Sequence, residues 1–216
     1  MNDTNTHLLR GSLCTMLGGV CWGFSGTCGQ YLFSRFGVSS LWLTCLRLLS
    51  GGIIMLLLAT IHHRRDLRNI WRSPSDAGML IGYGIFGLMM CQYAYMTSIS
   101  YSNAGTTTVL QTLSLVIIML LTCLRLRRRP NRLETIALLL ALLGTFLLAT
   151  GGDPAHMVLS PQGLFWGLAT AVAVTVYTLL PRRLLSRWDR EVVNGWGMLI
   201  GGAVLNLAAR SWTFQV

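Results

Sequence analysis

The sequence predicts an all-α fold, a polytopic membrane helix bundle of about seven transmembrane helices. Hydrophobic residues make up 53% of the chain and charged residues only 11%, whereas soluble domains average about 25% charged residues. The arginines form three clusters about 60 residues apart, and each interval has room for two bilayer crossings of about 20 residues. The clusters comprise Arg64, Arg65, Arg68 and Arg72; Arg125, Arg127, Arg128, Arg129 and Arg132; and Arg182, Arg183, Arg187 and Arg190.

Seven apolar runs lie before, between and after these clusters. Each run is long enough, as a helix, to cross about 30 Å of hydrocarbon, and helix is expected because the bilayer core holds no water to pair with the backbone. Asn131 followed by Glu134 predicts a capping box at the start of the fifth run, and Gly-Gly-Asp-Pro at 151–154 predicts a turn after it. The predicted spans are 11–33, 39–60, 76–97, 102–124, 133–150, 161–181 and 191–209.

The arginine distribution also predicts which side of the membrane each loop occupies. With the N-terminus inside, fourteen arginines face the cytoplasm, Arg35 and Arg210 lie outside, and Arg47 lies within the second span. Cytoplasmic loops carry the excess of positive residues, so we expect a multi-pass protein of the cell membrane (inner or plasma membrane) with a cytoplasmic N-terminus. The net charge of +10 is assigned to anionic lipid headgroups and not to nucleic-acid binding.

Few residues suit catalysis or cofactor binding. Positions 23–26 match the G-x-S-G pattern of intramembrane serine proteases, but a serine nucleophile needs a base, usually His, and all four histidines lie in the N-terminal tail or in loops. The six cysteines lie in apolar runs without a C-x-x-C pair, which predicts packing and not metal or disulfide bonding. The sequence therefore predicts no enzyme activity, no cofactor and no metal site.

The fourth span carries a polar stripe. Asn103, Thr107, Gln111 and Ser114 follow spacings of four, four and three residues, so they share one helix face. A polar stripe on a lipid-embedded helix must face protein or water. Two alternatives stay open at this stage: hydrogen bonding between helices, or the wall of a polar translocation cavity.

Further candidates for substrate binding lie deep within other spans. Arg47 is the one ionisable residue well inside a span, where a charge costs at least about 2.5–3.5 kcal/mol. It serves either as an anchor that snorkels outward or as a contact to a substrate or polar network. The other candidates are Trp22 and Ser25 of span 1, Gln92 and Tyr95 of span 3, and Tyr177 of span 6.

Two segments of the chain form a weak internal repeat. Five spans separate them, and an odd number gives the second copy the inverted topology that is common in secondary transporters. A shift of 152 residues aligns Gly11 with Gly163, Val20 with Val172, Leu32 with Leu184 and Ser34-Arg35 with Ser186-Arg187.

Five features spread over nearly the whole chain carry a family resemblance. They are Trp22-Gly23, Arg47 and the runs YMTSISYSNAG at 95–105, LQTL at 110–113 and LGTFLLATGG at 143–152. In this order and spacing they resemble the EamA branch of the drug/metabolite transporter superfamily. The resemblance implies ten spans in two inverted five-span repeats, with both termini inside and a central substrate cavity that span 4 lines.

The resemblance also has consequences for this chain. Asn103, Thr107 and Gln111 inherit a candidate role in substrate binding, while Leu115 stands where a proline is common in the family. Because the chain stops after the seventh predicted span, we expect a truncated transporter, with a shortened protein that assembles as an oligomer as the alternative. The expected domains are 1–152, a first five-helix repeat, and 153–216, a partial second repeat.

The expected function is that of an integral membrane secondary transporter. It would export small metabolites, such as amino acids, drugs or related compounds, by alternating access. The alternative is a non-transporting truncated membrane remnant or interaction module. The expected partners are the lipid bilayer and a small-molecule substrate, without nucleic acid, and for the oligomeric alternative a second copy in a homo-oligomer.

Overall fold

Seven long helices make up nearly all of the described chain, which in this computed structural model comprises residues 2–62, 64–151 and 159–209. Six of them, α2 to α7, are long and apolar enough to cross a membrane, which confirms the polytopic helical bundle. Short helical turns at Asp66–Asn69, Ile70–Arg72 and Arg182–Leu185 complete the described elements. The long helices are α1 (Asn2–Phe36), α2 (Ser40–His62), α3 (Pro74–Tyr101), α4 (Ala104–Arg125), α5 (Arg132–Thr150), α6 (Pro161–Leu179) and α7 (Arg190–Ala209).

The first helix differs from its prediction. The sequence predicted a span at 11–33, whereas α1 runs over 35 residues. It does not reach the hydropathy of a spanning helix within the described residues, because glycine, serine and threonine are interspersed among its apolar positions. The count of spans is therefore six by length and composition, with α1 as a seventh long helix.

Helix ends follow local capping rules. At the start of α5 the Glu134 carboxylate accepts from the Asn131 amide at 2.7 Å and the Asn131 side chain accepts from the amide of Arg132 at 2.6 Å, so the predicted capping box is confirmed. The two terminal guanidinium nitrogens of Arg128 donate hydrogen bonds to the Glu134 carboxylate at 2.7 and 2.9 Å. These hydrogen bonds raise the pKa of Arg128. Gly151 ends α5 in the left-handed region at φ 62°. The rest of the predicted turn, 152–154, and Arg210 lie outside the described residues.

Glycines allow close helix contacts, among them those between α2 and α7. A Cβ added to Gly52 would lie 2.9 Å from the Leu199 backbone nitrogen, and one added to Gly195 would lie 2.7 Å from the Leu56 side chain. On its other side α7 meets α3, where a Cβ on Gly201 would lie 2.6 Å from the Gly84 carbonyl oxygen. Small residues let helix backbones approach closely in lipid, where packing drives association. Through these glycine contacts α7 packs against α2 on one side and α3 on the other.

A π-helical stretch, which includes Gly84, interrupts α3 at this contact. It covers Tyr83–Met89, with Tyr83 fully buried. The Tyr83 hydroxyl donates to the Asn194 side-chain oxygen at 2.8 Å, and its ring stacks on Tyr177 with centroids 5.9 Å apart. The widened turn therefore presents one aromatic side chain to both α6 and α7.

α6 packs against both α3 and α4, whereas α1 and α5 lie at the periphery. Gly167 of α6 faces Leu110 of α4 so closely that a Cβ there would overlap the leucine, and Trp166 meets Tyr93 of α3 edge to face at 5.4 Å. α5 is the least buried of the six apolar helices. Its large exposed hydrophobic side chains are leucine, isoleucine and phenylalanine, as expected for a face that meets lipid.

A buried carboxylate ties the first part of the chain to the last. Asp76, at the start of α3, is only 2% exposed. Its Oδ2 accepts from the indole nitrogen of Trp188 at 3.2 Å, and its Oδ1 lies 3.6 Å from the Arg187 guanidinium. A buried carboxylate needs partners of this kind to offset its desolvation. Sequence analysis did not single out this contact, because the two ends lie 112 residues apart.

Candidate functional site

Three helices meet at a cluster of aromatic and hydroxyl side chains. Trp22 of α1 packs on Tyr95 of α3 with ring centroids 5.6 Å apart. The Tyr95 hydroxyl lies 3.4 Å from the Thr108 hydroxyl of α4. Gly26 makes this arrangement possible, because a Cβ at that position would lie 2.9 Å from the Tyr95 hydroxyl oxygen. The sequence-predicted candidates Trp22 and Tyr95 are thus brought together.

A cavity of about 200 Å³ opens beside this cluster, between α1 and α4. Its wall combines an indole ring and a leucine with two threonines, a glutamine and a serine, so a few polar groups are set in a largely apolar wall. Side chains at 108, 111, 112, 114 and 115 project there because neighbouring positions on a helix turn share a face. The lining residues are Trp22, Thr108, Gln111, Thr112, Ser114 and Leu115.

Gln111 supplies the most informative polar atom of the cavity. Its side-chain oxygen is buried and has no hydrogen-bond partner among the described residues. A buried acceptor without a donor costs about 1–3 kcal/mol, so native proteins rarely leave one unpaired without a reason. The arrangement suits a ligand that carries an N–H or O–H group.

The predicted stripe on the fourth span divides into two parts. Asn103 caps α4 by accepting from the Thr106 amide at 2.8 Å and is itself exposed. Thr107 is fully buried and bonds the hydroxyl of Ser98 at 2.9 Å. Only the later part, Gln111 and Ser114, lines the cavity. The stripe therefore bonds α4 to α3 through Thr107 and lines a cavity at its later end, and a role of this cavity in translocation stays a prediction.

Arg47 of α2 reaches α3. Its guanidinium contacts the Met96 sulfur at 3.4 Å and the residue is half-buried. No described carboxylate pairs with it. Because a guanidinium has five N–H donors and a thioether is a weak acceptor, most of its hydrogen-bonding capacity is left for water, lipid or a ligand.

The remaining predicted residues fall in different places. Gln92 lies one helical turn before Tyr95, and its side-chain oxygen is also buried without a described partner. Ser25 is half-buried next to Gly26. Neither lines the cavity described above. Tyr177 instead stacks on Tyr83 at the π-helical stretch, where it packs α6 against α3.

Sequence reasoning missed Thr108 and Thr112 as cavity residues. Both follow the stripe by one position, 100° around the helix, and therefore lay outside the face that the spacing selected. The run of threonines at 106–108 was the available signal. It could not show which of the three would turn toward α1.

Comparison with known proteins supports a single family. A sequence model of the EamA-like transporter family matches residues 9–150. A protein of Salmonella typhimurium strain LT2, the uncharacterized inner membrane transporter YicL, is 38% identical over 196 residues, which is 91% of this chain and 65% of that protein. This chain thus spans about two thirds of its relative's length.

A crystal structure of a protein 21% identical in sequence superposes with a TM-score of 0.57, covering 91% of this chain and 68% of the other. At that identity the likeness concerns the fold alone. The matched residues include the whole of α2 to α5 and most of α1, and these helices carry the site. The chain belongs to the EamA-like transporter family.

Proposed function

We propose that this chain forms the substrate path of a secondary transporter that exports small metabolites, such as amino acids, drugs or related compounds. The observation that carries the proposal is the cavity between α1 and α4, whose largely apolar wall includes Thr108, Gln111 and Ser114. Polar groups within membrane helices often mark an ion or substrate path. Gln111, which lines the cavity, carries a buried side-chain oxygen without a described hydrogen-bond partner.

The aromatic part of the wall supports a small organic substrate. Trp22 is 40% exposed, with its ring tilted on Tyr95, so part of the indole face is open to the cavity. An aromatic face binds apolar groups and organic cations, while Gln111, Thr108 and Ser114 offer hydrogen bonds. Small-molecule sites combine apolar walls with a few placed polar groups in this manner.

The proposed mechanism is alternating access between two inverted repeats. The first repeat would comprise 1–152 and the partial second repeat 153–216. The family match at 9–150 falls within the first of these. α6 packs between α3 and α4, and α7 packs between α2 and α3, so the proposed movement of the later helices against the earlier ones would take place at these contacts. A homo-oligomer would be compatible with the same path.

The proposed orientation places the N-terminus in the cytoplasm of a multi-pass protein of the cell membrane. The Asp76–Arg187 pair then lies near the cytoplasmic side, together with the three arginine clusters. The excess of arginine in these loops supports that orientation. No catalytic role is proposed for Ser25.

Flux through liposomes tests the proposal. The purified 216-residue chain would be reconstituted and release of labelled amino acids and a fluorescent drug measured. Thr112→Trp fills the cavity and should abolish flux, whereas Leu140→Trp, on the exposed face of α5, should preserve it. Absence of flux for every compound in the unaltered chain would favour a non-transporting remnant or interaction module. Equal loss in both variants would show that the cavity is not the path.

A further inference from the structure

A second, larger concavity lies on the opposite side of the bundle, between α2 and α7. It has a volume of about 380 Å³ and its walls are almost entirely aliphatic and aromatic. None of the residues of the transport cavity takes part in it. The apolar walls are formed by Ile53, Leu56, Leu57, Leu67, Trp196 and Leu199.

The tryptophan wall of this groove is held in place. The Trp196 indole nitrogen donates to the Leu67 carbonyl oxygen at 3.3 Å, and Trp71 meets the Trp196 ring edge to face with centroids 5.3 Å apart. Tryptophan with its N–H paired and its ring in an apolar setting suits the boundary between hydrocarbon and headgroups. The groove is thus a formed surface and not a gap between mobile side chains.

A positive charge stands at one end of the groove. Arg68 lines it, is exposed, and has no ion-pair or hydrogen-bond partner among the described residues. Arg64, Arg65 and Arg72 belong to the same cluster. From Thr60 to Ile53 the α2 wall descends about 10 Å away from this charge, at 1.5 Å per residue. The groove therefore has a cationic mouth and an apolar interior along the membrane normal.

We propose that this groove binds one anionic phospholipid. The phosphate would pair with the Arg68 guanidinium, whose planar fork fits phosphate oxygens, and an acyl chain would lie along Ile53 and Leu57. Basic pockets between transmembrane helices bind anionic headgroups for this reason. A second copy of the chain suits the groove less well, because a symmetric contact would bring two arginine clusters together. The lipid would hold α2 against α7 independently of transport.

Native mass spectrometry of the purified full chain tests this proposal, with dioleoyl phosphatidylglycerol and dioleoyl phosphatidylcholine as probes. We expect one phosphatidylglycerol per chain, retained about five- to tenfold more strongly than phosphatidylcholine, as one interfacial charge pair allows. Arg68→Gln should remove that preference. Arg129→Gln is the matched control, since Arg129 is an exposed arginine of another loop, and it should keep the preference.

A groove-filling variant separates the acyl site from simple charge attraction. Leu57→Trp leaves Arg68 intact and occupies an exposed position, so the chain should fold while phosphatidylglycerol retention falls several-fold. Equal losses from Arg68→Gln and Arg129→Gln would overturn the proposal, as would retention unaffected by Leu57→Trp. Disulfide-linked dimers formed in membranes through Leu57→Cys would show that a second copy, and not a lipid, covers the groove.

Discussion

The contact between Gly26 and Tyr95 decides whether α1 can approach the rest of the bundle. The tyrosine hydroxyl occupies the space that a side chain at position 26 would need, 2.9 Å from an added Cβ. The same hydroxyl lies near Thr108, and the ring supports Trp22. One glycine thus allows three helices to share a wall of the cavity.

We expect Gly26→Val to displace Tyr95 and destabilise the protein by about 1–3 kcal/mol, as overpacking does. The measurement is the thermal unfolding midpoint of the purified chain in detergent. Gly23→Val is the matched control, because nothing lies within 4 Å of a Cβ at position 23. Both substitutions change the helix propensity of α1 by the same amount. Equal midpoints for the two variants would contradict the contact.

Asp76 gives a second prediction at the residue scale. Asp76→Leu leaves the Trp188 N–H without its acceptor, so we expect a loss of about 1.5–3 kcal/mol, typical of a hydrogen bond to a charged group. Arg187→Gln should cost less than about 1 kcal/mol, because its guanidinium is largely exposed and exposed ion pairs contribute little. Chemical denaturation of both variants checks the order. The reverse order would make the charge pair the main stabilising contact.

Helix pairs differ in what their glycines face, and in the α2–α7 pair a glycine faces the backbone of its neighbour. A Cβ on Gly52 would meet backbone as well as side chain of Leu199, so side-chain rotation cannot relieve the overlap. In lipid, helices associate through close van der Waals packing and not through the hydrophobic effect. The α2–α7 pair therefore needs glycine at this position.

Gly52→Val should separate α2 from α7 and lower the unfolding midpoint strongly. A cross-link between cysteines placed at 48 and 205, whose leucines belong to one core cluster of α2 and α7, should also form more slowly in this variant. Gly144→Val is the matched control, because it makes the same change of helix propensity in the middle of α5, where nothing lies within 4 Å of an added Cβ. It should leave both measurements nearly unchanged. A cross-link rate unaffected by Gly52→Val would mean that the helices adapt without loss.

Much of this architecture follows from the sequence, and specific residues show where prediction stops. The bounds of α2, α5 and α7 agree with the predicted spans to within two residues, because apolar length and caps are local properties. The separate roles of Asn103, Thr107 and Gln111 are not local. A 3.6-residue period places them on one face, but only the arrival of α1, α3 and the connecting loop decides which one caps, packs or lines a cavity.

The whole molecule is a helix bundle whose charged loops and apolar faces define its position in a membrane. The inside location of the loop at 126–131 is a prediction of the arginine distribution. In a cysteine-free background, Arg129→Cys should react with a membrane-impermeant thiol reagent only after the cytoplasmic face is opened. Ser39→Cys, in the loop between α1 and α2, should react in intact cells. Labelling of Arg129→Cys in intact cells would reverse the topology.

The central claim is that the cavity beside Gln111 binds the transported compound. The most direct measurement compares flux in liposomes for Gln111→Leu and Gln162→Leu, the same chemical change inside the cavity and at an exposed position of α6. We expect Gln111→Leu to lower flux about tenfold, as loss of one buried hydrogen bond to a ligand allows. The abundance and unfolding midpoint of this variant should be unchanged, and Gln162→Leu should transport normally. Normal flux in Gln111→Leu, or flux that falls only in proportion to its abundance, would contradict the claim.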